Sequence, residues 1–295
     1  MKQLARGNRL EAGGWRVEAV SPKPYGLKPT YYSLQPIAAA SRFGRYGPLV
    51  SREVRQPDVT GQSYFEQVKR TREMLRSTDP ETVKQVIEFT GRMNFFEALA
   101  LAKKEGKLIV PNFVHDRILT ETGEHKYFRQ NYLGVLTGTL VIYEKPDVPF
   151  GEQVIFEGVT FKVVTFKVPK QFRGKINCAL VVEHPDFELI DLGNNRFEIR
   201  ATDGIHLIEQ FPKQDGWHMP DAETGIPRGK AVKESSDARY LWRLKDSSYL
   251  GPVAREYGLG YDYRRVVDLY RWSSNGSGVA LVPLATAPKK SDSHG

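Results

Sequence analysis

Between Asp246 and Val282 the chain sets Tyr249, Tyr257, Tyr261, Tyr263, Tyr270 and Trp272 among Ser, Gly, Asn and Arg, with no Lys in the stretch. The chemistry open to such a segment is recognition. Tyr and Trp give rigid, amphipathic contact area at low entropic cost, and Ser, Gly and Asn add adaptable hydrogen bonding. Five tyrosines occur between Tyr249 and Trp272 with no Ile, Phe or Met among them. A plain apolar core is a poor account of that pattern, because every buried hydroxyl needs a partner.

Residues suited to bond making are sparse. His115, Asp116, His125, His184, His206 and His218 fall into no metal-ligand spacing, no Gly-x-Ser-x-Gly elbow occurs, and no Gly-rich loop follows a strand to open a helix. His115, behind Phe113 and Val114, reads as a structural histidine; His218, with Trp217 and Asp215, is the one cluster that invites a test. A single cysteine, Cys178, excludes an internal disulfide and any site built from several thiolates, and its apolar neighbours make it a core residue. Asn275-Gly276-Ser277 fits a glycosylation sequon but reads better as a tight turn. No catalytic residue, metal or cofactor is expected.

A chain of 295 residues with 40% hydrophobic content can bury a sizeable core. The N-terminus has no apolar h-region and no eighteen apolar residues run together, so neither a signal peptide nor a membrane span is expected. A cytoplasmic or virus- or phage-associated protein fits that. Of the net charge of +8, residues 1–60 supply +6, from ten Lys and Arg against four acids. The excess is therefore local, and a basic, Gly/Pro/Arg-rich arm is expected there.

Ser63 and Glu66 have the capping-box spacing and predict a helix to about Arg76; Asp79-Pro80-Glu81 starts another that ends near Gly91. Asn94 with Glu97 repeats the logic for a third helix that Gly106 terminates, and Asn112 to Leu119 makes one more of about two turns. A short strand at Lys107–Pro111 separates them. From Tyr132 to Phe211 the pattern is β, with strands at 139–143, 159–168, 176–183, 196–200 and 205–211, read as one antiparallel sheet. Residues 212–236 are polar and turn-rich, Ala238 to Leu244 resumes a strand, Val267 and Leu269 alternate with Asp268 and Tyr270 as a half-buried strand does, and 278–282 is a buried strand. The expected fold class is α+β.

Two separated segments resemble one family. Asn94-Phe95-Phe96-Glu97-Ala98 followed by Gly106-Lys107-Leu108 looks like the first helix of the C-type lectin fold. Trp242, Gly251-Pro252-Val253-Ala254-Arg255, Arg264 to Leu269 and Gly278 to Val282 resemble the C-terminal half of that fold in the variable proteins of diversity-generating retroelements. The resemblance covers roughly residues 85–130 and 236–283. It implies a C-type lectin-like domain at 93–288 with a β-rich insertion or elaborated sheet at 131–211 and a variable region at 246–282; the capped helices ahead of it make a helical lead-in at 61–92, and the composition of 289–295 predicts a disordered tail. It also implies a binding protein without catalysis, its ligand a protein or surface that differs between variants. The ligand-facing positions would be Ser247, Ser248, Tyr249, Glu256, Tyr257, Leu259, Tyr261, Tyr263, Asp268, Tyr270, Trp272, Asn275 and Ser277, with Arg255, Arg264 and Arg265 as frame. Formylglycine-generating relatives use paired cysteines, which this chain lacks. The alternative is a nucleic-acid-binding protein using aromatic platforms and arginines; four acids against four arginines in 246–277 weaken it.

Overall fold

The computed structural model describes residues 61–122, 134–157, 162–201, 204–243, 247–257, 265–269 and 278–285. The N-terminal arm and the tail lie outside them. Helix α1 is Gly61–Ser77, so Ser63 lies inside the helix and is not its cap. Asp79 caps α2, Pro80–Val86, by accepting a hydrogen bond from the Thr82 amide at 3.2 Å. The helix expected to reach Gly91 stops at Ile87, because Glu88–Thr90 (β1) pairs antiparallel with the last strand, β15, Gly278–Pro283. Sheet pairing here overrides local helix propensity.

Asn94 and Glu97 form the reciprocal cap of α3, Phe95–Glu105, each side chain accepting from the other's amide at 2.9 Å, and Gly106 closes it in the left-handed conformation. β2, Lys107–Ile109, also pairs with β15, and α4 then runs over Asn112–Thr122. Seven residues of α4 are buried, among them Asn112, His115 and Asp116.

The β region forms two sheets, not one. β3 (Gly134–Tyr143), β6 (Ala179–Glu183) and β9 (His206–Ile208) join the large sheet. β4 (Gln153–Glu157), β5 (Val163–Lys167), β7 (Phe187–Asp191) and β8 (Arg196–Ala201) make a four-stranded sheet of their own, in which β5 and β8 are parallel. The stretch expected to be turn-rich contains β10 (Gly216–Pro220) and β11 (Pro227–Arg228). β12 (Arg239–Trp242), β13 (Tyr249–Tyr257) and β14 (Arg265–Leu269) complete the large sheet, whose main path is β1-β15-β3-β13-β14-β12-β10-β11. The β12–β14 and β15–β3 pairs are parallel.

Strand alternation distributes the core over both faces. Leu136, Leu140, Ile142, Leu250, Ala254, Val279 and Leu281 pack toward α3 and the four-stranded sheet. Val135, Ala280 and Val282 pack toward α4 and the end of α1, and Val141, Tyr143, Tyr249, Val253, Val267 and Leu241 continue that face. Cys178 is buried in the first of these clusters. Gly138 lets β2 approach β3: a Cβ there would lie 2.3 Å from the Ile109 carbonyl oxygen. His184 accepts from the Ile109 amide through Nδ1 at 3.3 Å, and burial lowers its pKa to about 3.

Candidate functional site

Asp116 of α4 holds the strands on both sides of β14. Arg239 of β12 grips it with two bonds, Nε to Oδ1 at 2.6 Å and Nη2 to Oδ2 at 3.0 Å. Arg255 of β13, fully buried, donates from Nη2 to Asp116 Oδ1 and from Nε to Asn112 Oδ1 at 2.8 Å. Asn112 binds onward, its amide to Thr139 Oγ1 at 2.9 Å and Nδ2 to the Thr224 carbonyl at 2.7 Å. Gly225, at φ +68°, lets that loop lie against the helix, since a Cβ would come 3.1 Å from that of Asp116. Burial alone would raise the Asp116 pKa, but Arg255 and Arg239 outweigh it, and the carboxyl stays below its ordinary value. His115, beside the same arginine, is pushed down to about 3 by burial and by the Arg255 charge, so it is neutral.

β14 thus lies between two strands that are each pinned to one helix. Val267, at its centre, is fully buried on the helix side. The register sets Ala254, Arg255, Glu256 and Tyr257 of β13 against Asp268, Val267, Val266 and Arg265, and sets Tyr240 and Trp242 of β12 beside Val266 and Asp268.

The opposite face of β10 and β12 carries apolar residues that the described residues leave only partly covered. Leu241 and His218 point to the interior, so alternation turns Trp217, Met219, Tyr240 and Trp242 outward. Trp217 and Tyr240 meet edge to face at 5.5 Å between centroids; Met219 and Trp242 are 45% and 54% exposed. Trp242 belonged to the resemblance and Trp217 to the histidine cluster, but neither was expected in the site. The signal that could have found the stripe is the alternation Trp217-His218-Met219 set against Tyr240-Leu241-Trp242. His218 and Trp217 therefore occupy opposite faces, with the His218 Nδ1 3.1 Å from the Gly229 carbonyl oxygen and the Asp215 carboxylate accepting from the Arg243 amide at 2.9 Å.

Of the ligand-facing positions read from the sequence, Tyr249 is a correction. It is fully buried, packs against Tyr143 and Phe156 at 5.6 and 5.5 Å, and donates its hydroxyl to the Pro252 carbonyl at 2.9 Å. A partner on its own strand satisfies the phenol, which removes the objection to burying it. Ser247 and Ser248 are half-buried, and the Ser248 hydroxyl donates to the Glu144 carboxylate. Glu256, Tyr257 and Asp268 have described backbone in β13 and β14, but their side chains lie outside the described residues. Leu259, Tyr261, Tyr263, Tyr270, Trp272, Asn275 and Ser277 lie outside them altogether, as does Arg264. Arg255 has the buried, forked bonding expected of a frame residue.

Among the described residues no group of three or more His, Cys, Asp or Glu is arranged to hold a metal ion, and no helix is long and apolar enough to cross a membrane. No family model, curated protein or solved structure matches the chain.

Proposed function

We propose that the chain is a ligand-binding, receptor-like protein on a C-type lectin-like domain, its C-terminal surface diversified as in the variable proteins of diversity-generating retroelements. The observation that carries this reading is the way β14 is held. Both neighbours of β14 are tied to Asp116 on one face, and the other face runs on into the stripe of Trp217, Met219, Tyr240 and Trp242, of which Met219 and Trp242 are exposed. A strand fixed from behind can change the residues it presents in front without losing its position. The two segments that carry the resemblance also meet: β15 pairs with β1 and β2, and Arg255 bonds to Asn112 and Asp116. Aromatic side chains exposed beside such a strand are the anchors expected of a protein-recognising surface, and recognition without catalysis is the activity proposed.

The test is deep sequencing of the gene segment encoding Asp246 to Val282 from its source population, together with the flanking DNA. Substitutions concentrated at positions such as Tyr257, Tyr261, Tyr263, Asp268 and Tyr270, with Arg255 and Gly278 to Val282 fixed and an adenine-rich near-copy beside a reverse transcriptase gene, support the proposal. A uniform segment without such a copy refutes diversification. The exposed ring of Trp242, beside the half-buried rings of Trp217 and Tyr240, would also suit the nucleic-acid alternative by stacking. That alternative requires retention on an anionic column that weakens steeply with salt.

A further inference from the structure

On the α4 face of the large sheet, opposite the aromatic stripe, α1 and the β6–β9 edge line a cleft of about 280 Å³. Arg72 and Arg76 line one side; Glu183, Asp186 and His206 line the other, and Glu223 reaches in from the loop between β10 and β11. A second recess of about 280 Å³ adjoins it and shares Arg76.

Most of these groups are already paired. Arg72 donates to Asp186 at 2.5 Å and to the carbonyls of Glu183 and His184 at 3.2 and 3.1 Å. His206 spans Asp221 at 3.3 Å and Glu223 at 3.0 Å. Among the described residues three groups keep spare capacity, the first being Arg72, whose buried Nε has no hydrogen-bond partner. Glu183 Oε1 is sealed from solvent and has no hydrogen-bond partner among the described residues. Arg76 is exposed, its guanidinium 4.2 Å over the Phe113 ring, and it makes no ion pair among the described residues.

A buried carboxyl oxygen without a donor is costly, and a ligand that supplies one recovers that cost. A guanidinium lying on an aromatic ring is held for a planar anion such as a carboxylate. Burial pushes the Glu183 pKa up to about 7, although Arg72 and Arg76 pull the other way, so the carboxyl is close to half protonated near neutrality and an incoming cation would ionise it. We propose that this cleft binds a small zwitterion of the amino-acid class, with its ammonium group against Glu183 and Glu223 and its carboxylate against Arg76. The site is separate from the surface proposed above and stands or falls independently of it.

The experiment is isothermal titration of the full chain with each of the common amino acids near neutral pH, in buffers of different ionisation enthalpy. The expected result is saturable binding by at least one of them, with release of a substantial part of one proton as Glu183 ionises. E183Q should weaken that binding about tenfold or more and abolish the proton release, one tenfold step being the usual scale for a lost charged contact. R76Q, at an exposed position, should weaken it comparably and remove the preference for the amino acid over its carboxamide. No saturable binding by any amino acid, proton uptake instead of release, or unchanged affinity in R76Q would overturn the proposal.

Discussion

Replacing Asp116 by Asn keeps the shape of the side chain and removes its charge, leaving the guanidinium groups of Arg239 and Arg255 buried without a counter-ion. Arg239 is 3% exposed and Arg255 fully buried, so water cannot substitute for the carboxylate. Removing one partner from a buried ion pair costs about 3–5 kcal/mol, most of it the desolvated charge left behind. A domain of this size has a total stability of roughly 5–15 kcal/mol, so the loss is a large fraction of it. At about 2–4 °C per kcal/mol for a domain of a couple of hundred residues, D116N should lower Tm by roughly 6–20 °C. The assay is thermal unfolding followed by near-ultraviolet circular dichroism, run beside the triple variant D116L/R239M/R255M. Because apolar replacement of a whole buried ionic cluster is often neutral or stabilising, the triple variant should recover most of the lost Tm. A D116N variant that melts within about 2 °C of the parent, no more than about 1 kcal/mol on the same scale, would refute the assignment of this cluster as what holds the strands around β14.

Four other outcomes are expected. Tyr249→Phe removes the hydroxyl bond to the Pro252 carbonyl and should cost about 1 kcal/mol by urea denaturation; a neutral result would deny the phenol its core role. Gly138→Ala forces a Cβ onto the Ile109 carbonyl and should cost about 1–3 kcal/mol, the range for overpacking, again read as a shift in the urea midpoint. Trp242→Ala, at 54% exposure, should change stability by no more than about 0.5 kcal/mol, and a fall in Tm of many degrees would make it a core residue. Stability should also fall in acid. His115 and His184, with pKa values of about 3, stay neutral in the folded protein while the unfolded chain protonates both below its ordinary value near 6.5. Glu183, at about 7, opposes them, because down to about pH 4.5 the folded state holds a proton that the unfolded chain does not. The unfolded chain therefore holds one net extra proton between about pH 6.5 and 4.5, and stability should drop by about 1.4 kcal/mol per pH unit there. In E183Q the opposing group is gone and the slope should double; urea midpoints across that range, with an unchanged slope in E183Q as the contrary result, test it.

What the sequence made legible was local. Asn94 and Glu97 satisfy each other across one turn and Gly106 ends the helix three turns on, so α3 could be read without any tertiary information. β1 could not, because Glu88-Phe89-Thr90 has no strand signature of its own and is extended by pairing with β15, nearly two hundred residues away (Thr90 to Val279 is 189). β10 was hidden because its inward residue is a histidine and its flanks are turns. The Asp116 cluster was half legible. Arg255 was marked as a frame residue from its place in the resemblance, but its acid lies 139 residues earlier and the second arginine 123 residues from that acid, and no local pattern links them. Tyr249 was misread because composition counts a tyrosine as display-ready, whereas the strand bend at Pro252 offers its hydroxyl an internal acceptor.

The distribution of these groups bears on how the two proposed sites could coexist. The charged side chains that fix the sheet, Asp116, Arg239 and Arg255, all work on the face that carries α4, and so do Arg72 and Glu183 of the cleft. The stripe of Trp217, Met219, Tyr240 and Trp242 uses the other face, and within the described residues of β10 and β12 no side chain serves both. Because alternate residues of a strand point to opposite faces, substitution at an outward position leaves the inward bonds intact. A changing partner surface and an unchanging small-molecule cleft could therefore be carried on one sheet. Coupling between them has a route through the Asp116 cluster, which among the described residues touches α4 and both strands flanking β14. Amino-acid binding that alters the exchange protection of β12 and β13 in the parent, and fails to do so in D116L/R239M/R255M, would be the signature of that coupling; identical protection changes in both would leave the two faces energetically separate.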